Sequence, residues 1–453
     1  MKKSLRKTGA LIISMVMLLA IGGTVMADAD MSGEGGVIGE FGTPDVATTQ
    51  DKTVKIYKEI TAYNPEDCTV NAPAITYEYT ITHSAALAGA DIYDASSRHD
   101  PASNVHSTTK EGIGTPTITG TAAGQLALVP GTDTLTASEN GTANRFPLTI
   151  SFENVDFTAA GAGAGVYRYQ IDETTTEATK NASGIAEGAV ANTLYMDVYV
   201  NGEGNVYGYV LFTNRTAAID ARTDDDAAAA STAGKTEGFV GSKADQVKYG
   251  DPATDGSTAD KYYTFNLEVE KEVVNDAYTQ NNHHEFPFTI TLTNSTVTAD
   301  VLPIMTVGQY ATQTALTAAP IAGTWSPTIG HTGKITYVGI PTGTTITIKE
   351  TNDVTGVTYT SVSTGADTNA ASLDIATGED SNTATVNCNA TALTAATENH
   401  TGADEVKFTN TMKMISPTGI IIRSAPYLLL FAAGAVLFIL IRHGKKNENS
   451  EKV

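Results

Sequence analysis

Cysteine, tryptophan and positive charge are scarce in this sequence. Two cysteines, Cys68 and Cys388, and one tryptophan occur in 453 residues. The cysteines fall in different halves of the chain, so no disulfide framework of the kind that staples small secreted domains is expected, and both read as buried or free thiols. Lys and Arg total 28 against 50 Asp and Glu, a formal net charge of −22. Nine of the basic residues but only two of the acidic ones lie outside residues 28–418, so the portion between is more acidic still. Such a surface repels nucleic acid and anionic lipid and argues against both as partners. No nucleophile motif, phosphate loop or zinc-ligand spacing occurs. His283 and His284 are neighbours, and neighbours on a strand point opposite ways, so a loop is expected there rather than a metal site. The run Asp224-Asp225-Asp226 lacks the spaced ligands of a calcium loop. Neither a cofactor nor a metal is expected, and no constellation for chemistry on an outside substrate is visible. Long amphipathic helical periodicity is also missing between the two ends.

The ends hold the hydrophobic runs. Lys2, Lys3, Arg6 and Lys7 precede an apolar stretch from Ala10 to Ile21, and Val25-Met26-Ala27 supplies small residues at the cleavage-reading positions; residues 1–27 read as a secretory signal. Ile420 to Ile441 is apolar apart from Arg423, and its uninterrupted part, from Ala425, is near the lower length limit of a membrane-spanning helix. Arg442, His443, Lys445 and Lys446 follow as a basic tail, 442–453, on the cytoplasmic side. Pro417-Thr418-Gly419, within 415–419, stands just before this helix. Pro-Thr-Gly, apolar helix and basic tail together resemble a Gram-positive cell-wall sorting signal, which implies that a sortase attacks the Thr418 carbonyl. The usual signal has one residue between Pro and Thr; here they abut. A plain single-pass anchor is the alternative.

Between the ends, alternating apolar and polar runs recur: AITYEYTIT (74–82), RFPLTISF (145–152), YMDVYVNG (195–202), FPFTITLT (286–293) and TTITIKE (344–350). Gly, Pro, Asn and Asp separate them. The pattern predicts an all-β chain of sandwich topology. The expected order is an extended segment at 28–50, a first sandwich at 51–217, an acidic Ala/Gly-rich linker or loop at 218–260 and a second sandwich at 261–414.

Two lysines stand on the wrong face of their strands. Lys58 shares its parity with Val54, Ile56 and Ile60, and Lys271 with Leu267, Val269 and Val273. Side chains two apart point to the same face of a strand, and a lysine is almost never fully buried unless paired. The same test places Glu173 with Tyr167, Tyr169 and Ile171, and Glu350 with Ile346 and Ile348. It places Asn214 with Val210 and Phe212, and Asn410 with Val406 and Phe408. Each half therefore contains an inward Lys, Glu and Asn in the same order, and the tripeptide FTN recurs at 212–214 and 408–410. Two readings are open: a hydrogen-bonded ionic network, or an intramolecular amide. For the amide, burial lowers the lysine pKa. The neutral amine then attacks the carboxamide at high effective molarity, the buried Glu moves protons, and ammonia leaves.

These residues, with the Gly-Val-Tyr-X-Tyr strand ending at Glu173 and the Pro-Thr-Gly signal, resemble the Gram-positive major pilins of the T-antigen type. The resemblance implies tandem Ig-like domains of the collagen-adhesin-B kind, with isopeptide bonds Lys58–Asn214 and Lys271–Asn410 and with Glu173 and Glu350 as catalysts. It implies a non-enzymatic shaft subunit whose partners are a sortase, neighbouring subunits, peptidoglycan and a host surface ligand. It also implies attachment to the cell wall or pilus, with a precursor that spans the cytoplasmic membrane. A surface lysine should accept the Thr418 of the next subunit; Lys235, Lys243 and Lys248 are the candidates. A monomeric wall-anchored adhesin, or its stalk, is the alternative.

Overall fold

The computed structural model describes residues 52–85, 109–213, 236–241, 258–274, 280, 283–316, 319–320, 323–351, 357–364, 372–377, 381–388, 404–412, 427 and 429–442. The expected secretory signal, the segment 28–50, Asn214, the three candidate acceptor lysines, Pro417-Thr418-Gly419 and the tail from 443 lie outside these residues. Tyr427 and residues 429–442 are helical, and their apolar side chains are exposed. Among the described residues no helix is long and apolar enough to cross a membrane. The rest of the span expected over 420–441 lies outside them.

The body of the chain is all-β, and each half is a pair of packed sheets. In the first half the opening strand Thr53–Tyr63 pairs antiparallel with Thr142–Ser151. The facing sheet runs through Val206–Phe212, Thr193–Val200, Gly165–Glu173 and Ile75–His83. Period-two patterning makes these strands: in the opening strand Val54 and Ile56 are buried while Lys55 between them is exposed. Across the ladder Val54 meets Ile150 and Ile56 meets Leu148, so one face is continuously apolar. Each such side chain contributes about 1.5–3 kcal/mol when fully buried.

The second half repeats the plan. Phe286–Thr293 and Thr344–Thr351 pair antiparallel, with Ile290 opposite Ile348 and Leu292 opposite Ile346. Their sheet continues through Ser381–Cys388 and Ser372–Thr377. The facing sheet holds Lys334–Pro341, Asp260–Val274, Asp404–Met412 and Val357–Thr364.

One strand belongs to both halves. Asp260–Val274 runs 15 residues. Its start pairs parallel with the end of the opening strand, Ile60 with Asp260 through Tyr63 with Tyr263. Its remainder pairs with Lys334–Pro341 and Asp404–Met412 in the second half. The two halves thus share one sheet, and Tyr63 stacks on Tyr263 with centroids 4.7 Å apart at the junction. The segment read as a linker also contributes: Gly238–Phe239 form a short parallel strand beside Tyr57 and Lys58.

Candidate functional site

Lys271, Glu350 and Asn410 form one cluster between the sheets of the second half. All three are fully buried. Lys271 comes from the shared strand, Asn410 from its parallel neighbour, and Glu350 from the facing sheet. The register sets Phe408 opposite Lys271 and Asn410 opposite Val273, two residues beyond the lysine. Lys271 Nζ lies 3.1 Å from Glu350 Oε1, and Asn410 Nδ2 donates to the same oxygen at 2.9 Å. The ammonium also donates to the Phe408 carbonyl at 3.3 Å and sits 4.8 Å from the Phe286 ring centroid. Phe288 and Phe408 meet edge to face at 5.1 Å. Burial lowers the Lys271 pKa to about 8, and Glu350 offsets only part of the effect. An amine that loses its proton near neutrality, converging with a carboxamide on one carboxylate oxygen in a dry pocket, has the parts that amide formation requires.

Lys58 and Glu173 meet in the same way in the first half, with Lys58 Nζ 2.8 Å from Glu173 Oε2. Among the described residues the third partner is an aspartate. Asp260 Oδ2 stands 2.7 Å from Lys58 Nζ, at the start of the shared strand. A second lysine enters: Lys180, on the short helix Glu177–Ala182, is 1% exposed. It lies 2.8 Å from Glu173, 3.0 Å from Glu187 and 3.2 Å from Asp260. Burial pushes the Lys180 pKa down, but Glu173 and then Asp260 outweigh it, and the pKa ends above the usual lysine value. Burial pushes Asp260 upward, yet Lys58 and Lys180 outweigh it and keep the carboxyl below the ordinary carboxylate range. Tyr77, whose ring centroid is 4.5 Å from Lys58 Nζ, is pushed well up by burial and then by Asp260 and Glu173. Tyr79 donates from its hydroxyl to Glu173 at 3.4 Å.

The strand that was expected to carry the first asparagine faces the other way. Leu211 and Met196 pair across the ladder and lie in the core, whereas Phe212 pairs with Tyr195 on the outer face. There Phe212 is buried because it covers Arg168, with the guanidinium carbon 6.0 Å from the ring centroid. Arg168 in turn pairs with Asp197 across the ladder. Phe212 therefore does not mark the Lys58 face, and Asn214 lies outside the described residues. Asp260, Lys180 and Glu187 went unseen in the sequence. A search confined to asparagine passes over Asp260, although it shares parity with Tyr262 and Thr264. Lys180 lies on a helix, where period two says nothing. Cys68 is a free, half-buried thiol packed against the first core, and burial raises its pKa to about 11.

Residues 265–412 match a family described as a domain of unknown function, DUF7601. No curated protein matches the chain. Among solved structures, the chain is similar to the major pilin protein T-13 from Streptococcus pyogenes. Identity is 16%, coverage is 80% of this chain and 99% of that one, and the TM-score is 0.29. It is also similar to a major pilin of Streptococcus pyogenes at 14% identity, covering 79% of this chain and 98% of that one with a TM-score of 0.31. A pilus-presented adhesin matches at 14% identity over 49% of this chain and 37% of its own length, with a TM-score of 0.22.

Proposed function

We propose that the chain is a structural cell-surface protein: a sortase-assembled pilus shaft subunit, internally braced by amide bonds between side chains. The observation that carries this reading is the Lys271–Glu350–Asn410 cluster. Its reactive groups face one another and not solvent, so their chemistry is directed at the protein's own strands. Lys271 Nζ attacks the Asn410 side-chain carbon, Glu350 transfers the proton, and ammonia departs. The product ties the shared strand to the last strand of the second half. Tension along the chain then runs through covalent bonds rather than ladder hydrogen bonds. The Pro417-Thr418-Gly419 signal supports joining of Thr418 to a lysine of the next subunit or to peptidoglycan, and Lys235, Lys243 and Lys248 remain the candidate acceptors. The test is the protein's size on denaturing gels from cells with and without the sortase. A sortase-dependent ladder of high-mass species is expected. One discrete band would instead favour a wall-anchored monomer.

A further inference from the structure

We propose that Lys58 of the first half forms its amide with Asp260, losing water, and not with an asparagine. This rests on the bracing reading above and names the bond's second member. The argument begins with register. In the second half Lys271 faces Phe408, and the residue two beyond it faces Asn410. In the first half Lys58 faces Phe239, and the residue two beyond it, Ile60, faces Asp260. Both pairings are parallel. Phe239 and Asp260 thus take the positions of Phe408 and Asn410, with the closing strand interrupted between them. The interruption contains Lys243 and Lys248.

Contact and chemistry agree with the register. Asp260 Oδ2 is 2.7 Å from Lys58 Nζ, and Glu173 Oε2 is 2.8 Å from the same nitrogen. Asp260 Oδ1 accepts from the Gly188 amide at 2.9 Å, which fixes the carboxylate plane. Gly188 is required for this approach: a Cβ there would lie 2.2 Å from the Thr258 carbonyl oxygen. The reaction joins Lys58 Nζ to Asp260 Cγ and breaks one Cγ–O bond. Two protons leave the ammonium and both end on the departing oxygen, which becomes water; Glu173 carries them across. Nothing is oxidised or reduced. Burial drives the step, because two ions that are costly in a dry interior become one neutral amide.

Lys180 completes the charge account. Replacing a neutral carboxamide by a carboxylate adds one negative charge to the fully buried groups, and Lys180 adds one positive; Glu187, also on Lys180, reaches solvent and stands outside this count. After condensation Lys180 and Glu173 remain as a matched pair at 2.8 Å. Lys180 is the rival nucleophile, but it stands farther from Asp260, at 3.2 Å, and lacks the register position that Lys271 holds.

The test is cross-link mapping by mass spectrometry on a digest of the denatured full chain. The expected result is a Lys58–Asp260 peptide pair lighter than its parts by one water, beside a Lys271–Asn410 pair lighter by one ammonia. Asp260→Asn should change the first deficit to one ammonia, and Asp260→Ala should abolish it. If Asp260→Ala does not fold, Asp260→Asn decides. A Lys58–Asn214 or Lys180–Asp260 pair would overturn the assignment while leaving the bracing reading intact. Linear Lys58 and Asp260 peptides beside an intact Lys271–Asn410 pair would overturn this inference alone. Linear peptides at both sites would remove the bracing reading as well.

Discussion

The two halves solve one problem with different groups. In each, a lysine on a long strand faces a parallel neighbour whose acceptor stands two positions further on, and a glutamate reaches across from the other sheet. The second half uses a carboxamide and a single cation. The first uses a carboxylate and adds Lys180. The pairing register is what the halves have in common. The acceptor's chemistry varies, and the number of buried cations varies with it. A buried cluster must be close to neutral because each uncompensated ion costs several kcal/mol, so an extra carboxylate brings an extra lysine.

The largest effect should come from Lys271→Ala. It removes the amide proposed between Lys271 and Asn410 and leaves Glu350 buried without the nitrogen that it faces. By the loop-entropy argument for cross-links, opening a closure of more than a hundred residues costs about 4–5 kcal/mol. The second half should then melt as a separate, lower transition in calorimetry. Next in size, Lys180→Met should destabilise the first half by about 3–5 kcal/mol, the cost of breaking a buried pair, with Lys180→Arg milder; urea unfolding measures both. Equal effects of Met and Arg would show that packing, not charge balance, is at stake.

The pH dependence is smaller and has a definite sign. In a variant that cannot form the second bond, such as Asn410→Ala, Lys271 stays titratable. Its folded pKa of about 8 lies below the unperturbed 10.5. Between these values the unfolded chain binds more protons, so stability should rise with pH. The penalty is full below about 8 and fades toward 10.5. The shift corresponds to at most about 3 kcal/mol over the whole window. Urea midpoints at pH 7.5 and about 9 check this, a unit below the ordinary tyrosine pKa. A falling midpoint would contradict it. The smallest effect belongs to the exposed pair Lys334–Glu268, 3.0 Å apart. Lys334→Ala should change stability by about 0.5 kcal/mol or less, which separates buried from surface ion pairs.

Much of the make-up of the clusters was legible because strand parity is local. Lys58, Lys271, Glu173, Glu350 and Asn410 each sit among apolar residues of their own parity, and each is buried. The all-β plan was legible for the same reason. What parity cannot give is register between distant strands. Asp260 is 202 residues from Lys58 in sequence, and only the parallel pairing brings them together. Phe212 misleads because a buried aromatic need not be in the core: it lies on the outer face over Arg168. The shared strand was also hidden. Its first residue reads as the end of a linker and the next three as the start of the second sandwich, yet all four complete the first half's sheet while the same strand opens the second.

The most direct test of the covalent account is the intact mass of the denatured, purified chain against the mass of its processed sequence. A deficit of one ammonia plus one water is predicted, falling to one water in Lys271→Ala and to one ammonia in Lys58→Ala. An unshifted mass would contradict the account and leave both clusters as buried ionic networks.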